Sequence, residues 1–111
     1  MTTKQSTVDY ILEQTEGAGA VSARKMFGEY GLFVDDKMVA ILGDDQLFVK
    51  ATAEGREFVR GCEERPPYPG AKPCLYISGE RWEDSDFMTQ LIRITAQHMP
   101  APIRSKRMKK A

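Results

Sequence analysis

Residues 24–50 read RKMFGEYGLFVDDKMVAILGDDQLFVK, and this stretch decides the fold. It contains three short apolar runs, which are separated by the acidic pairs Asp35–Asp36 and Asp44–Asp45. Aspartate is common in tight turns because its side chain hydrogen-bonds the turn backbone. The pattern therefore predicts an antiparallel meander with strands at 30–34, 37–42 and 46–50 and turns at 35–36 and 43–45.

The sequence on either side of the meander predicts helices and two further strands. Val8, Ile11 and Leu12 share one face of a helix over 7–16, which Ser6 or Thr7 can cap. The other predicted elements are a strand at 21–27, helices at 52–62 and 85–99, and a strand at 74–78.

Capping residues and apolar spacing support the two later helices. Thr52 can cap the helix over 52–62, and we expect its Phe58 and Val59 to point inward. Asp84 or Ser85 can cap the last helix. Between them, the proline-rich stretch 64–73 predicts a loop, part of which can run extended along a sheet edge.

This order of elements is helix, three to four strands, helix, one to two strands, helix. It predicts an α+β fold of two layers, in which an antiparallel meander sheet has helices on one face. A chain of 111 residues suits one domain. We expect that domain to span residues 1–103 and to be followed by a flexible basic tail over 104–111.

The turn lengths assign side chains to the two faces of the sheet. A two-residue first turn and a three-residue second turn place one set on the first face: Tyr30, Leu32, Val34, Val39, Ile41, Leu47 and Val49. They place another set on the second face: Phe33, Met38, Ala40, Leu42 and Phe48. A one-residue slip would exchange the faces.

Both predicted faces are apolar, although a sheet covered on one side only normally alternates apolar with polar residues. Another part of the chain or a second molecule should therefore cover the second face. We predict that Phe33, Met38 and Phe48 form an interface with a protein partner or, in a homodimer, with a second copy.

The formal net charge is zero, but the charge is unevenly spread. All 16 acidic residues precede Ile103, whereas the last eight residues hold five of the 16 basic ones. The body is therefore acidic, which argues against a general nucleic-acid binder. Arg104, Lys106 and Arg107 in the tail could still contact phosphates in a salt-dependent way.

The exposed pair Arg24–Lys25 at a strand edge could also bind an anion or an acidic partner. The simpler interpretation of these charges is that they protect an edge strand from unwanted pairing. Direct nucleic-acid contact through this pair and the tail is the alternative function.

No set of residues in the sequence predicts a catalytic, metal or cofactor site. His98 is the single histidine and has no obvious second group for acid–base work. Cys62 and Cys74 with one histidine cannot form a four-ligand zinc site, so we expect free thiols. An enzyme would need a pocket with converging polar groups, and the protein is not predicted to be one.

Gly28 and Gly31 form G-x-x-G without the strand-to-helix context of a nucleotide-binding loop, and we expect them to bend one strand into the next.

No apolar run reaches the roughly 20 residues that cross a bilayer. The N-terminus lacks the apolar segment of a secretion signal, so we expect a cytoplasmic protein without a membrane partner.

The run Arg24-Lys25-Met26-Phe27-Gly28, followed by Tyr30-Gly31-Leu32-Phe33, resembles the N-terminal domain of the TfoX (Sxy) family. The likeness continues through the meander and resumes more faintly at Pro67-Tyr68 and at Tyr76-Ile77. It implies a two-layer domain and a non-enzymatic role in regulating natural competence genes in bacteria, where full-length members act with the cyclic-AMP receptor protein. It supplies no catalytic or ligand residues.

Together, the residues and the resemblance predict a non-enzymatic regulatory or adaptor domain. We expect it to act by protein–protein contact, with a partner in the transcription machinery.

Overall fold

The computed structural model describes residues 3–26 and 29–99, and it confirms the α+β class. The helices are α1 (Gln5–Thr15), α2 (Ala53–Val59), α3 (Gly79–Trp82) and α4 (Ser85–His98), with a short 3-10 helix (Glu16–Ala18) after α1. The strands are β1 (Val21–Met26), β2 (Glu29–Val34), β3 (Lys37–Gly43), β4 (Gln46–Val49), β5 (Glu64–Arg65) and β6 (Cys74–Ile77). Phe27, Gly28 and the predicted tail at 104–111 lie outside the described residues.

The strands form one antiparallel sheet of six in the order β1-β2-β3-β4-β6-β5. β1 lies at one edge, as its Arg24 and Lys25 predicted. The two-residue strand β5 lies at the other edge and belongs to the proline-rich stretch. The prediction that part of this stretch runs extended along the sheet is therefore confirmed.

Both turns of the meander contain two residues. Val34 pairs with Lys37 across the first turn, and Gly43 pairs with Gln46 across the second. All four turn aspartates have positive φ angles, between 52° and 65°. Two-residue hairpins favour this left-handed backbone because it matches the strand twist, and aspartate tolerates it. The predicted three-residue second turn is therefore wrong.

A β-bulge between β2 and β3 corrects the predicted faces. Leu32 pairs with Ala40 and Phe33 pairs with Met38, so Val39 is an extra residue on β3. Val39 and Ala40 are both fully buried, and the Val39 carbonyl accepts a hydrogen bond from Lys50 N at 2.8 Å. A bulge breaks the two-residue period of a strand.

The bulge exchanges three of the predicted positions. Ala40 and Leu42 lie on the helix-covered inner face, and Ile41 lies on the outer face. Leu47 and Val49 remain on the inner face as predicted. The bulge shifts β4 by one position, and the second turn, which is one residue shorter than predicted, shifts it back.

The core lies between the inner face of the sheet and the helices. The apolar spacing of α1 and α4 places one stripe of each helix against the sheet. The largest fully buried side chains of this core are Val8, Ile11, Leu32, Val39, Leu42, Leu47, Val49, Leu75, Ile77, Met88, Leu91 and Ile92. Each such side chain contributes about 1.5–3 kcal/mol through burial. The predicted two-layer arrangement is confirmed.

Two of the predicted helix caps are confirmed. The Thr52 hydroxyl accepts a hydrogen bond from Gly55 N at 2.9 Å, and the Asp84 carboxylate accepts one from Phe87 N at 3.0 Å. Phe58 does not point inward as expected. It is 38% exposed, and its ring stacks on Phe87 with the ring centroids 5.6 Å apart.

The N-terminus of α1 is capped from a distant turn, not by Ser6 or Thr7 as predicted. Asp45 Oδ1 accepts hydrogen bonds from Lys4 N at 2.9 Å and from Thr7 Oγ1 at 3.0 Å. Asp45 N in turn donates to Thr3 Oγ1 at 3.2 Å. The hydrogen bond from Lys4 N is the main reason that the pKa of Asp45 is lowered. A negative charge here also complements the helix dipole.

The corrected faces make Ile41 and Leu42 a matched pair for mutation. Leu42→Ala should lower the free energy of unfolding by about 2–5 kcal/mol because it opens a cavity in the core. Ile41→Ala should cost about 1 kcal/mol because that side chain is only half-buried. Urea denaturation of both variants measures the difference. The reverse order would show that β3 has no bulge.

The cap on α1 should make stability depend on pH. Asp45→Asn should lower the Tm by a few degrees at pH 7, because the amide has no charge for the helix dipole. The folded pKa of Asp45 is depressed, so its contribution is complete above the unfolded pKa of about 3.9. It is lost as the pH falls through the lower folded pKa.

Asp44→Asn is the control for this prediction, because Asp44 has the same left-handed backbone and is exposed. Thermal unfolding between pH 7 and pH 3 should show the Tm gap between Asp45→Asn and the wild type closing at low pH. An equal effect from Asp44→Asn would contradict the capping role.

Candidate functional site

The outer face of the sheet forms an apolar groove of about 680 Å³. The register aligns one residue from each of three strands across its floor: Gly31 pairs with Ile41, and Ile41 pairs with Phe48. Phe48 in turn pairs with Tyr76 of β6. These side-chain positions point away from the core, since Leu42 and Leu47 alternate with them on the inner face. The groove therefore uses the strands that build the core, on their opposite side.

Met26 and Met38 form the wall of the groove on the β1 side, which we call the methionine wall, and Phe33 packs beside them. A β-carbon placed on Gly31 would lie 2.9 Å from Met26 Sδ, 3.0 Å from Phe33 Cε1 and 3.5 Å from Met38 Cε. Three side chains from three strands therefore meet over Gly31 because it has none of its own. Gly31 serves this close packing, not a bend between strands as the sequence predicted.

The proline-rich stretch forms the opposite wall. Pro66, Pro67 and Tyr68 line the groove, and the Pro67 carbonyl oxygen lies 4.0 Å from a β-carbon placed on Gly43. Tyr68 is 59% exposed. The stretch leaves Phe48 only 4% exposed, so it supplies part of the cover that the sequence predicted for this face.

The predicted interface residues Phe33, Met38 and Phe48 lie on β2, β3 and β4, respectively, on the outer face of the sheet. Phe33 and Met38 are half-buried. Met26 and Ile41 are half-buried as well, whereas Phe48 is only 4% exposed. Whether this face is an interface stays a prediction.

Charged residues lie at the two ends of the groove. Glu29 begins β2 and Asp44 lies in the turn after β3, so both are at one end. Lys50 follows β4, and Arg65 pairs with Cys74 beside it, so both are at the other end. The groove therefore has an acidic end and a basic end.

The charged side chains at the two ends differ in the hydrogen bonds and ion pairs that they already make within the chain. Glu29 Oε1 accepts hydrogen bonds from Thr3 N at 3.2 Å and from Thr3 Oγ1 at 2.7 Å. Arg65 pairs with Glu63 at 2.6 Å and lies 4.1 Å from the centroid of the Tyr76 ring. Within residues 3–26 and 29–99, no ion pair or side-chain hydrogen bond engages Lys50 or Asp44.

The predicted anion contact at Arg24 is already occupied within the chain. Arg24 Nη2 donates to Asp36 Oδ1 at 2.9 Å, and its guanidinium lies 4.4 Å from the centroid of the Phe33 ring. Lys25 is exposed on the same edge strand. Arg104, Lys106 and Arg107 lie outside the described residues. Anion binding at these positions stays a prediction.

The two cysteines and the histidine do not line the groove. Burial raises the pKa of both the Cys62 and the Cys74 thiols, which makes them weak nucleophiles at neutral pH. His98 is exposed, with Nδ1 3.5 Å from Glu54 Oε2. In the described part of the chain, no three His, Cys, Asp or Glu side chains are placed to hold a metal ion.

The sequence missed the second wall and the role of Gly31. The run of prolines predicted a loop but carried no sign of which face it would border. Gly31 inside a strand was the available signal, because such a glycine often marks close approach by other atoms.

Among the described helices, none is long and apolar enough to cross a membrane.

The fold and the site define a small α+β domain with an apolar groove on the free face of its sheet. The family model of the TfoX N-terminal domain matches residues 13–99. The chain belongs to this family, and the resemblance seen at residues 24–33 is confirmed.

Two curated relatives are similar over most of the chain. A Spirochaeta aurantia protein named "Uncharacterized 12.7 kDa protein in trpE 5'region" is 37% identical over 102 residues, which cover 92% of this chain and 88% of that protein. Protein Sxy of Escherichia coli (strain K12) is 26% identical over 94 residues, which cover 79% of this chain. The match spans 44% of Sxy, so this chain corresponds to less than half of that relative.

Proposed function

We propose that this chain is a competence-type regulatory domain that acts by binding a protein partner in the outer groove. The observation that carries the proposal is the apolar groove between the methionine wall and the proline-rich wall. Its volume lies within the range of about 300–1,000 Å³ that is typical of small-molecule pockets, which is room for a few side chains of a partner. Burying its half-exposed side chains under a partner would supply the free energy of association.

The groove supports binding better than catalysis. Its floor and walls are mostly apolar, and its charged residues lie at opposite ends. General acid–base chemistry needs two positioned groups on one reacting centre. We therefore keep the prediction that the protein is not an enzyme.

Membership of the family supports a regulatory role for this domain when it is bound to its proposed partner. Sxy is a relative by sequence, and the resemblance of this chain to the TfoX family implies regulation of competence genes. Shared family does not by itself establish shared function, so the role needs its own test. The partner that fits this role belongs to the transcription machinery.

Groove variants test both parts of the proposal. Ile41→Lys and Met38→Lys place a charge in the groove, and both long side chains can still reach water without unfolding the sheet. Gln90→Lys is the matched control, because it adds the same charge at an exposed position of α4, on the helix layer. Thermal unfolding first shows which variants keep the wild-type Tm.

In cells that lack the native protein, wild type and Gln90→Lys should restore the transcript levels of DNA-uptake genes. Ile41→Lys and Met38→Lys should not restore them. Affinity capture with mass spectrometry should find a transcription protein with wild type and Gln90→Lys that is absent from the groove variants. Full rescue by a stably folded groove variant would contradict the proposal.

Self-association remains a separate prediction for the same face. Sedimentation velocity of the wild type and Met38→Lys at micromolar concentrations tests it, because a wild-type dimer that Met38→Lys dissociates would make a second copy the occupant of the groove. A monomer at every concentration would remove the homodimer prediction and leave the partner-binding proposal intact.

A further inference from the structure

The ends of the groove carry opposite charges, and we infer that its occupant is an extended segment of the partner with a set direction. The segment has a bulky apolar side chain at its centre and a carboxylate at the Lys50 end. This inference rests on the proposed function and names the chemistry of the partner.

Lys50 and Asp44 set the direction. Neither side chain is engaged by another group in residues 3–26 and 29–99, so each can interact with a ligand charge. A carboxylate is attracted at the Lys50 end and repelled at the Asp44 end, where Glu29 adds a second negative charge. Opposed charges of this kind select orientation and partner more than they add affinity.

The length of the groove matches a short extended segment. Lys50 lies four residues beyond Gln46, which pairs with Gly43 beside Asp44. At about 3.4 Å per residue, the two ends are about 14 Å apart. This distance corresponds to about four extended residues, so one apolar side chain fits between a carboxylate and the acidic end.

The apolar centre can adapt to the side chain it receives. Met26 and Met38 border the groove, and unbranched thioether side chains reshape at low cost. Ile41 forms the floor beside them. An aliphatic or aromatic side chain of the partner can therefore enter between the methionine wall and Pro66–Tyr68.

The shape and charge also argue against other occupants. The site is concave, so the same face of a second copy would not fill it, whereas a projecting segment would. A nucleic-acid strand would bring negative charge to both ends and would be repelled by Glu29 and Asp44. A peptide segment is the occupant that satisfies both ends.

A displayed library of random heptapeptides, selected on the full chain, is the probe. Wild type should enrich peptides that pair a bulky apolar residue with Asp or Glu on one side of it. By fluorescence anisotropy, Lys50→Glu should bind these peptides at least about tenfold more weakly, since attraction becomes repulsion. Selection on Lys50→Glu should instead enrich Lys or Arg at that position.

Arg60→Glu is the matched control, because it makes the same charge change at an exposed site at the end of α2. It should bind the selected peptides as wild type does. Ile41→Lys should bind none of them, which shows that they occupy the groove.

Three outcomes would overturn the inference. In the first, the selected peptides lack acidic residues, and their binding is abolished by Ile41→Lys but unchanged by Lys50→Glu. This result would leave the proposed function standing and remove the charge rule. No enrichment together with a groove-dependent dimer would identify a second copy as the occupant. Displacement of the selected peptides by a single-stranded oligonucleotide would identify a nucleic acid, and the proposed function would fail with it.

Discussion

The extra residue in β3 is the constraint on which the rest of the structure depends. Because Val39 and Ala40 both face the core opposite Leu32, every later residue of β3 is shifted by one position. Leu42 then enters the core and Ile41 becomes the floor of the groove. Without the bulge, the same strand would present Ala40 and Leu42 outward, and neither layer of the molecule would keep its present packing.

The two faces of the sheet are completed by different means. Helices α1 and α4 close the inner face, and a polar network joins them to the meander, with Asp45 capping α1 and Lys37 Nζ donating to the Ala96 carbonyl at 3.0 Å. On the outer face, the described residues include the short wall at 66–68, in which Pro66 and Pro67 have no backbone N–H to donate. These two residues border the sheet without donating to it, which leaves the groove open between this wall and the methionine wall.

The sequence predicted what local chemistry controls. Thr52 and Asp84 cap their helices because a cap needs only a side chain and the next backbone N–H groups. The α1 cap could not be predicted, because Asp45 is far from Lys4 along the chain. The bulge left no mark on a run that is apolar at every position. Of the site, Met38 and Phe48 were placed on the correct face, but the proline-rich wall depends on a tertiary contact.

The side chains that stabilise this domain and those that line its groove lie on opposite faces of the sheet. The meander supplies core side chains on one face and groove side chains on the other, and neighbouring residues such as Ile41 and Leu42 have different roles. A substitution on the inner face removes the groove by unfolding the strands that form it. A substitution at Met38, Ile41 or Lys50 changes the groove and leaves the core packing in place. Under the proposed function, the chosen partner can change without a change of fold, because the groove side chains contribute little to the core.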